Sequence, residues 1–193
     1  MSFLSRLFGK KEAGVRTTTS NTPIRISQPV IGFYNLLGDK GNSLVDSDSK
    51  ILSPIFVESK ISQSAVPKCH VLLLYCDLTA EGQIIGSNHR FRDIVKEAGA
   101  YVAVIGSEND PDHCFECIEP KNDWNANIVL VLDRKGEKFG LFFQKLFEAM
   151  RSGKSMLTAW VELAPQIPGY EQPDTPESIM LPEAGHITFD GSG

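Results

Sequence analysis

The sequence contains no uninterrupted apolar run of the roughly twenty residues that a membrane-spanning helix requires. It also lacks the layout of a secretory signal peptide, because its first apolar stretch is short and no small-residue cleavage site follows. Only four of the 193 residues are cysteine, too few for a disulfide-built fold. These absences predict a cytoplasmic protein with reduced thiols. They leave residues 1–11 as the one stretch predicted to contact a membrane.

The sequence also lacks glycine-rich phosphate-binding motifs and an excess of positive charge, which limits the class of ligand. Neither glycine-rich motif that cradles nucleotide phosphates, G-x-G-x-x-G or G-x-x-x-x-G-K, occurs in the sequence. The formal net charge is −5, with both signs interspersed, whereas proteins that bind nucleic acid present a basic surface. The sequence therefore predicts no nucleic-acid partner, and no motif in it calls for a cofactor.

What the sequence does contain is an alternation of apolar runs with amphipathic segments. Runs typical of strands buried on both faces occupy residues 29–38, 70–75, 100–107 and 127–133. A stripe of Phe and Leu at helical spacing predicts a helix over residues 137–153. Two shorter segments are predicted as a turn-rich loop (39–50) and as a short helix starting at Ser53. This alternation predicts an α/β fold whose mostly parallel sheet has helices on both faces.

The predicted domain organisation has three parts. Residues 1–24 form a flexible N-terminal segment whose short amphipathic stretch is either a surface anchor or an unstable start of the chain. Residues 25–165 form the α/β domain. Residues 166–193, rich in Pro, Glu and Gly, form an extended C-terminal tail.

One strand of the predicted sheet ends in a thiol. The apolar run that begins at His70 terminates in Cys76 and Asp77. Open α/β sheets place their ligand sites at the carboxyl ends of strands, so Cys76 has the position of a nucleophile. Free cysteine is also among the most buried residue types, so packing is the alternative interpretation.

The order of elements resembles that of the CHAT group of caspase-related cysteine peptidases, over residues 30–164. The resemblance is carried by four segments: "FYNLLGDKGNSL", "HVLLLYCDLTAEG", "EAGAYVAVIGS" and "FFQKLFEAMRSGKSMLTAWVELA". It implies a caspase-like three-layer sandwich. Residues 108–136 depart from the family pattern because they insert a helix and a strand before the closing helices.

The resemblance places the family's nucleophile on Cys76 and its general base on Leu37, which cannot accept a proton. Acidic residues near Cys76 would also disfavour a thiolate. The resemblance thus implies a non-catalytic domain that binds a protein partner, as a regulatory component of a bacterial conflict or signalling system. The side chains of Leu37 and Cys76 are expected to meet at the sheet edge. The alternative is a cysteine hydrolase that uses Cys76 with His113 or His89 as an unconventional base.

The stretch "HCFEC" raises the question of a metal site. His113, Cys114 and Cys117 have spacing found in zinc sites, but such sites take a second pair of ligands. We therefore predict no metal there, and interpret the two cysteines as packing residues of a short helix.

Overall fold

The computed structural model describes residues 22–118, 124–163 and 175–190, with the side chains of 115–118 outside the description. The strands are β1 (Ile24–Ile26), β2 (Val30–Asn35), β3 (Glu58–Ser62), β4 (Val71–Tyr75), β5 (Val102–Ile105), β6 (Asn127–Asp133), β7 (Glu177–Pro182) and β8 (Ile187–Phe189). The helices are α1 (Asp39–Leu52), α2 (Phe91–Ala98), α3 (Pro111–Ile118), α4 (Lys138–Arg151) and α5 (Met156–Leu163), with a short 3₁₀ turn at Ser53–Ile55.

The main sheet has the strand order β3-β2-β4-β5-β6-β7. Its first five strands are parallel, and β7 pairs with β6 in the antiparallel sense. Strands β1 and β8 form a separate parallel pair. The prediction of an α/β fold with a mostly parallel sheet is confirmed.

The two faces of this sheet carry two separate cores. In β4, Leu73 and Tyr75 point into a core formed with α1, α4 and α5, here called the α4-side core. Leu72, Leu74 and the adjacent Cys76 point into a core formed with α2 and α3, here called the α2-side core. Side chains of successive strand residues alternate between faces, so the apolar runs supply both cores at once. The layers are helix, sheet and helix, consistent with a three-layer sandwich.

Two local predictions are wrong. Residues 39–50, predicted as a loop, belong to the 14-residue helix α1. Its apolar stripe at Val45 and Leu52 is interrupted by Asp48, which is also buried, and the polar residues around it conceal the helical period. Residues 58–62, predicted within a short helix, form the edge strand β3, and Pro54 lies in a 3₁₀ turn of three residues, Ser53–Ile55.

Part of the segment assigned to an extended tail belongs to the sheets. Strand β7 completes the main sheet beside β6, and β8 pairs with β1 close to the beginning of the described chain. The amphipathic stretch in residues 1–11 lies outside the described residues, as do residues 164–174.

A buried ion pair joins α1 to the carboxyl edge of the sheet. The Nη2 atom of Arg134 lies 2.8 and 3.0 Å from the two carboxylate oxygens of Asp48, and the Tyr75 hydroxyl donates to Asp48 Oδ2 at 2.7 Å. Arg134 also donates to the carbonyl oxygen of Gly106 and lies 3.8 Å from the centroid of the Phe139 ring. Asp48 is 1% exposed and Arg134 6%. These contacts tie α1, β4, α4 and the segments after β5 and β6 together.

We predict that Asp48→Ala lowers the free energy of unfolding by about 3–5 kcal/mol, because it leaves the Arg134 charge buried without its partner. Asp46→Ala is the matched control: it removes the same group from an exposed position of the same helix, and should change stability by less than about 0.5 kcal/mol. Urea unfolding followed by circular dichroism measures both.

The double variant Asp48→Leu with Arg134→Met should recover part of the loss, because no lone charge is then buried. Equal effects of Asp48→Ala and Asp46→Ala would contradict the importance of the ion pair.

Candidate functional site

The topology singles out one place at the carboxyl edge of the sheet. The chain passes from β2 to β3 on one side, then returns to β4 on the other side of β2 and continues to β5 and β6. Open α/β sheets bind ligands at such a reversal of strand order, outside the carboxyl ends of the strands. Here β2 ends at Asn35, paired with Tyr75 at the end of β4. The candidate site therefore consists of the segments that follow, 36–38 and 76–78.

The backbone of Cys76 is held by two polar side chains from the segment after β5. Its N–H donates to Ser107 Oγ at 2.9 Å, and its carbonyl oxygen accepts from Ser107 Oγ at 2.6 Å and from Asn109 Nδ2 at 3.0 Å. Asn109 Oδ1 in turn accepts from the Leu78 N–H at 2.8 Å. The segment after β4 is thus fixed in place by its neighbour in the sheet.

The Cys76 side chain lies in the α2-side core and is 0% exposed. Residues 77–90, here called the cover segment, fold back on themselves through a hydrogen bond from the Ile85 N–H to the Asp77 carbonyl oxygen at 2.9 Å. Leu78 and Ile84 of this segment are buried in the same core as Cys76. The thiol therefore lies in an apolar core, and a substrate would reach it only if the surrounding segments moved.

The structure does not bring Leu37 and Cys76 together. The Leu36 N–H donates to the Tyr75 carbonyl oxygen at 2.8 Å, so continuing the register places Leu36 opposite Cys76. Leu36 packs against the α2-side core, as Cys76 does, whereas Leu37 packs against the α4-side core. Leu37 and the Cys76 side chain thus pack against different cores, on opposite faces of the sheet.

The two proposed bases occupy different environments. His113 is half-buried in α3, and its Nδ1 lies 2.9 Å from the carbonyl oxygen of Leu78, two residues after Cys76. His89 is exposed in the cover segment, ahead of α2, which begins at Phe91 rather than at the histidine. Of the two, only His113 contacts the candidate site.

Side-chain amides that sequence reasoning missed shape the turn between β2 and α1. Asn35 is 2% exposed; its Oδ1 accepts from the Leu37 N–H at 3.0 Å, and its Nδ2 donates to Gly38 O at 2.9 Å and to Asn42 Oδ1 at 3.0 Å. A Cβ at position 41 would overlap the Asn35 side chain, so glycine is required there. An Asn at the end of an apolar run, followed by two closely spaced glycines, was the available signal.

The polar atoms of this region bond to one another. Within the described residues, every buried side-chain nitrogen or oxygen has a hydrogen-bond partner. The amides and hydroxyls around the candidate site therefore maintain the shape of the loops, rather than standing unpaired for a ligand.

The described side chains of the histidine–cysteine stretch, residues 113–117, do not form a metal site. His113 Nδ1 is close to a backbone oxygen, Cys114 is buried, and the side chain of Cys117 lies outside the description. Among the described residues, no three His, Cys, Asp or Glu side chains are grouped so as to hold a metal ion.

Comparisons of the chain with protein-family models, curated proteins and solved structures give no match. No helix in the described ranges combines the length and the apolar character needed to cross a bilayer.

Burial controls the reactivity of two other thiols. It raises the pKa of Cys114 to about 11, with the charge of Asp110 adding to the rise, and it raises the pKa of Cys69 to about 12. At pH 8 the thiolate fraction of either group is then roughly one in a thousand or less. We predict slow alkylation of both by iodoacetamide at pH 8, and a rate at Cys114 that increases about tenfold per pH unit toward pH 11.

Peptide mass spectrometry of time points, with the unfolded protein as control, measures these rates. Rapid labelling of Cys114 in the folded protein at pH 8 would contradict the prediction.

Proposed function

We propose that this chain is a non-catalytic, caspase-like domain related to the CHAT group, and that it binds a protein partner as a regulatory component of a bacterial conflict or signalling system. The fold supports this proposal only at the level of an α/β sandwich. The more specific support comes from the surroundings of Cys76 and from an open edge of the sheet.

The burial of Cys76 is the observation that carries the non-catalytic part. A nucleophilic cysteine acts as a thiolate in a partly exposed, electropositive place, whereas structural cysteines are buried and inert. Cys76 is 0% exposed, and its backbone is fixed by Ser107 and Asn109. This burial supports the interpretation of Cys76 as a packing residue at the position of a nucleophile.

The outer edge of β3 supports the protein-binding part. The Val30 N–H donates to His70 Nδ1, and the His70 N–H donates to Val30 O, so the backbone groups of Val30 point toward β4. The backbone groups of the next residue, Ile31, then point toward β3, where Ile31 is paired in register with Ser59. In a parallel ladder Ile31 bonds to the residues on either side of Ser59. The backbone groups of Ser59 and Ile61 consequently point outward.

This edge has the features of a surface for strand addition. Within the described residues no strand pairs with the outer side of β3. Val57 and Ile61 are each 58% exposed there, and they offer apolar contacts next to the outward-pointing backbone groups. An extended segment of a partner protein would add to such an edge through main-chain hydrogen bonds.

We predict that Ile61→Pro abolishes partner binding, because it removes an outward N–H and an exposed apolar side chain without removing a bond to β2. Cys76→Ala should leave binding unchanged. Cross-linking and affinity capture of the full chain, followed by binding of the purified partner to each variant, is the measurement. Equal binding by Ile61→Pro and the parent would exclude this edge, and loss of binding in a folded Cys76→Ala would favour catalysis.

The alternative is a cysteine hydrolase in which Cys76 acts with His113 or His89. The contact of His113 Nδ1 with the Leu78 carbonyl oxygen favours His113: a proton on Nδ1 would leave the lone pair of a general base on Nε2. In that case His113→Gln would slow labelling of Cys76 by a thiol-directed peptide probe, and His89→Gln would be the matched control without effect.

A pair of leucine substitutions tests the geometry around Cys76. We predict that Leu36→His increases the rate of Cys76 alkylation near neutral pH by about tenfold or more, because a neighbouring imidazolium stabilises a thiolate. Leu37→His should not, because Leu37 packs on the other face of the sheet. Each change is expected to cost about 1–3 kcal/mol of stability.

The rates are measured by mass spectrometry in proteins shown by circular dichroism to be folded. Activation by Leu37→His but not by Leu36→His would show that the register inferred beyond Asn35 is wrong. Rapid alkylation of the parent would favour the hydrolase.

A further inference from the structure

A groove with a volume of about 560 Å³ lies where the β1–β8 pair meets the turn between α4 and α5. It shares no lining residue with the segment 36–38, with Cys76 or with the cover segment. Six of its lining side chains carry positive charge, an imidazole or a hydroxyl: Arg25, Lys154, Ser155, Thr158, His186 and Thr188. They come from three separate parts of the chain.

The β1–β8 pair presents one polar face to this groove. Ile187 and Phe189 are buried in the α4-side core, so alternation turns Thr188 and His186 to the opposite face. Arg25 is the register partner of Thr188, and side chains paired across neighbouring strands point to the same face. Arg25 and His186 are exposed, and Thr188 is half-buried.

The turn between α4 and α5 closes the other side of the groove. Ser155 Oγ lies 2.9 Å from Thr158 Oγ1 and accepts a hydrogen bond from the Thr158 N–H at 3.2 Å. His186 Nδ1 is 3.4 Å from the same Ser155 oxygen. The hydroxyls of the turn and the imidazole of the strand pair are therefore adjacent.

The charge of the groove is opposite in sign to that of the whole chain. Arg25 makes no ion pair with another described residue, and the partner of Lys154 is Glu162, at 2.5 Å, which does not line the groove. Asp190 is the one acid in the lining. The charged lining side chains are thus two cations and one carboxylate, in a protein with a net charge of −5. Lys154 shares its charge with Glu162, and Arg25 has no ion pair among the described residues.

We propose that this groove binds a small molecule bearing a phosphate monoester. The planar guanidinium of Arg25 can donate two parallel hydrogen bonds to phosphate oxygens, and Lys154 supplies a compact charge. The hydroxyls of Ser155, Thr158 and Thr188 supply further donors. The volume falls within the range of small-molecule sites, and the charged groups and hydroxyls among the lining residues fit a polar ligand. This inference is independent of the function proposed for Cys76.

The test uses the full chain, with inorganic phosphate and glycerol 3-phosphate as probes at constant ionic strength. We expect saturable binding of glycerol 3-phosphate by calorimetry, with amide shifts in ¹H–¹⁵N spectra centred on Lys154, Ser155 and Thr188. Arg25→Gln and Lys154→Gln should each weaken binding by about tenfold, the worth of one charge-assisted hydrogen bond. Arg25→Lys keeps the charge but cannot donate two parallel hydrogen bonds. Its affinity for glycerol 3-phosphate should therefore lie between those of Arg25→Gln and the parent.

Lys50→Gln is the matched control, because it removes one positive charge from a second groove of similar volume, about 540 Å³. It should leave binding unchanged. The proposal is overturned if glycerol 3-phosphate does not bind saturably, or if Lys50→Gln weakens binding as much as Arg25→Gln. It is also overturned if the protein binds phosphatidylserine vesicles through these residues while neither soluble probe binds.

Discussion

The ion pair between Asp48 and Arg134 is the interaction on which the carboxyl edge of the sheet depends. Burying two charges is costly unless geometry and additional hydrogen bonds are favourable; here Tyr75 and the Gly106 carbonyl oxygen provide them. Burial raises the pKa of the Asp48 carboxyl, and the charge and hydrogen bonds of Arg134 oppose that rise. Burial and the nearby Asp48 raise the pKa of Tyr75 well above its usual value, so its hydroxyl stays a donor. The pair fixes α1, and with it the turn that shapes one side of the candidate site.

Cys76 has the position of a nucleophile in this fold but lacks the exposed surroundings that a nucleophilic thiol needs. Cys76 follows β4 at the reversal of strand order, yet its thiol is buried in the α2-side core, to which Leu78 and Ile84 also belong. The side chain opposite it is Leu36, and the neighbouring Leu37 belongs to the other core. A difference of one residue along an extended segment changes the face of the sheet, and so decides whether a side chain at the end of β2 can reach the thiol.

The two surfaces proposed for binding lie apart from this site in sequence and in lining residues. The edge of β3 offers main-chain groups and apolar side chains, which suit an extended protein segment. The groove beside β1 and β8 offers cations and hydroxyls, which suit a small anion. In both places the groups offered to a ligand are exposed or half-buried, so packing in the core does not fix their residue type.

The sequence by itself determined the α/β class, four of the parallel strands and the strongly amphipathic helix α4, because apolar periodicity is a local property. It also located Cys76 at the end of a buried strand. Tertiary structure decided what that pattern concealed. Helix α1 tolerates the buried Asp48 in its apolar stripe because the carboxylate forms an ion pair with Arg134, 86 residues away. Likewise, β3 and β7 are strands because they pair with distant segments, and Cys76 is buried in a core to which several separate segments contribute. Such partners lie far along the chain, and no local pattern of residues contains them.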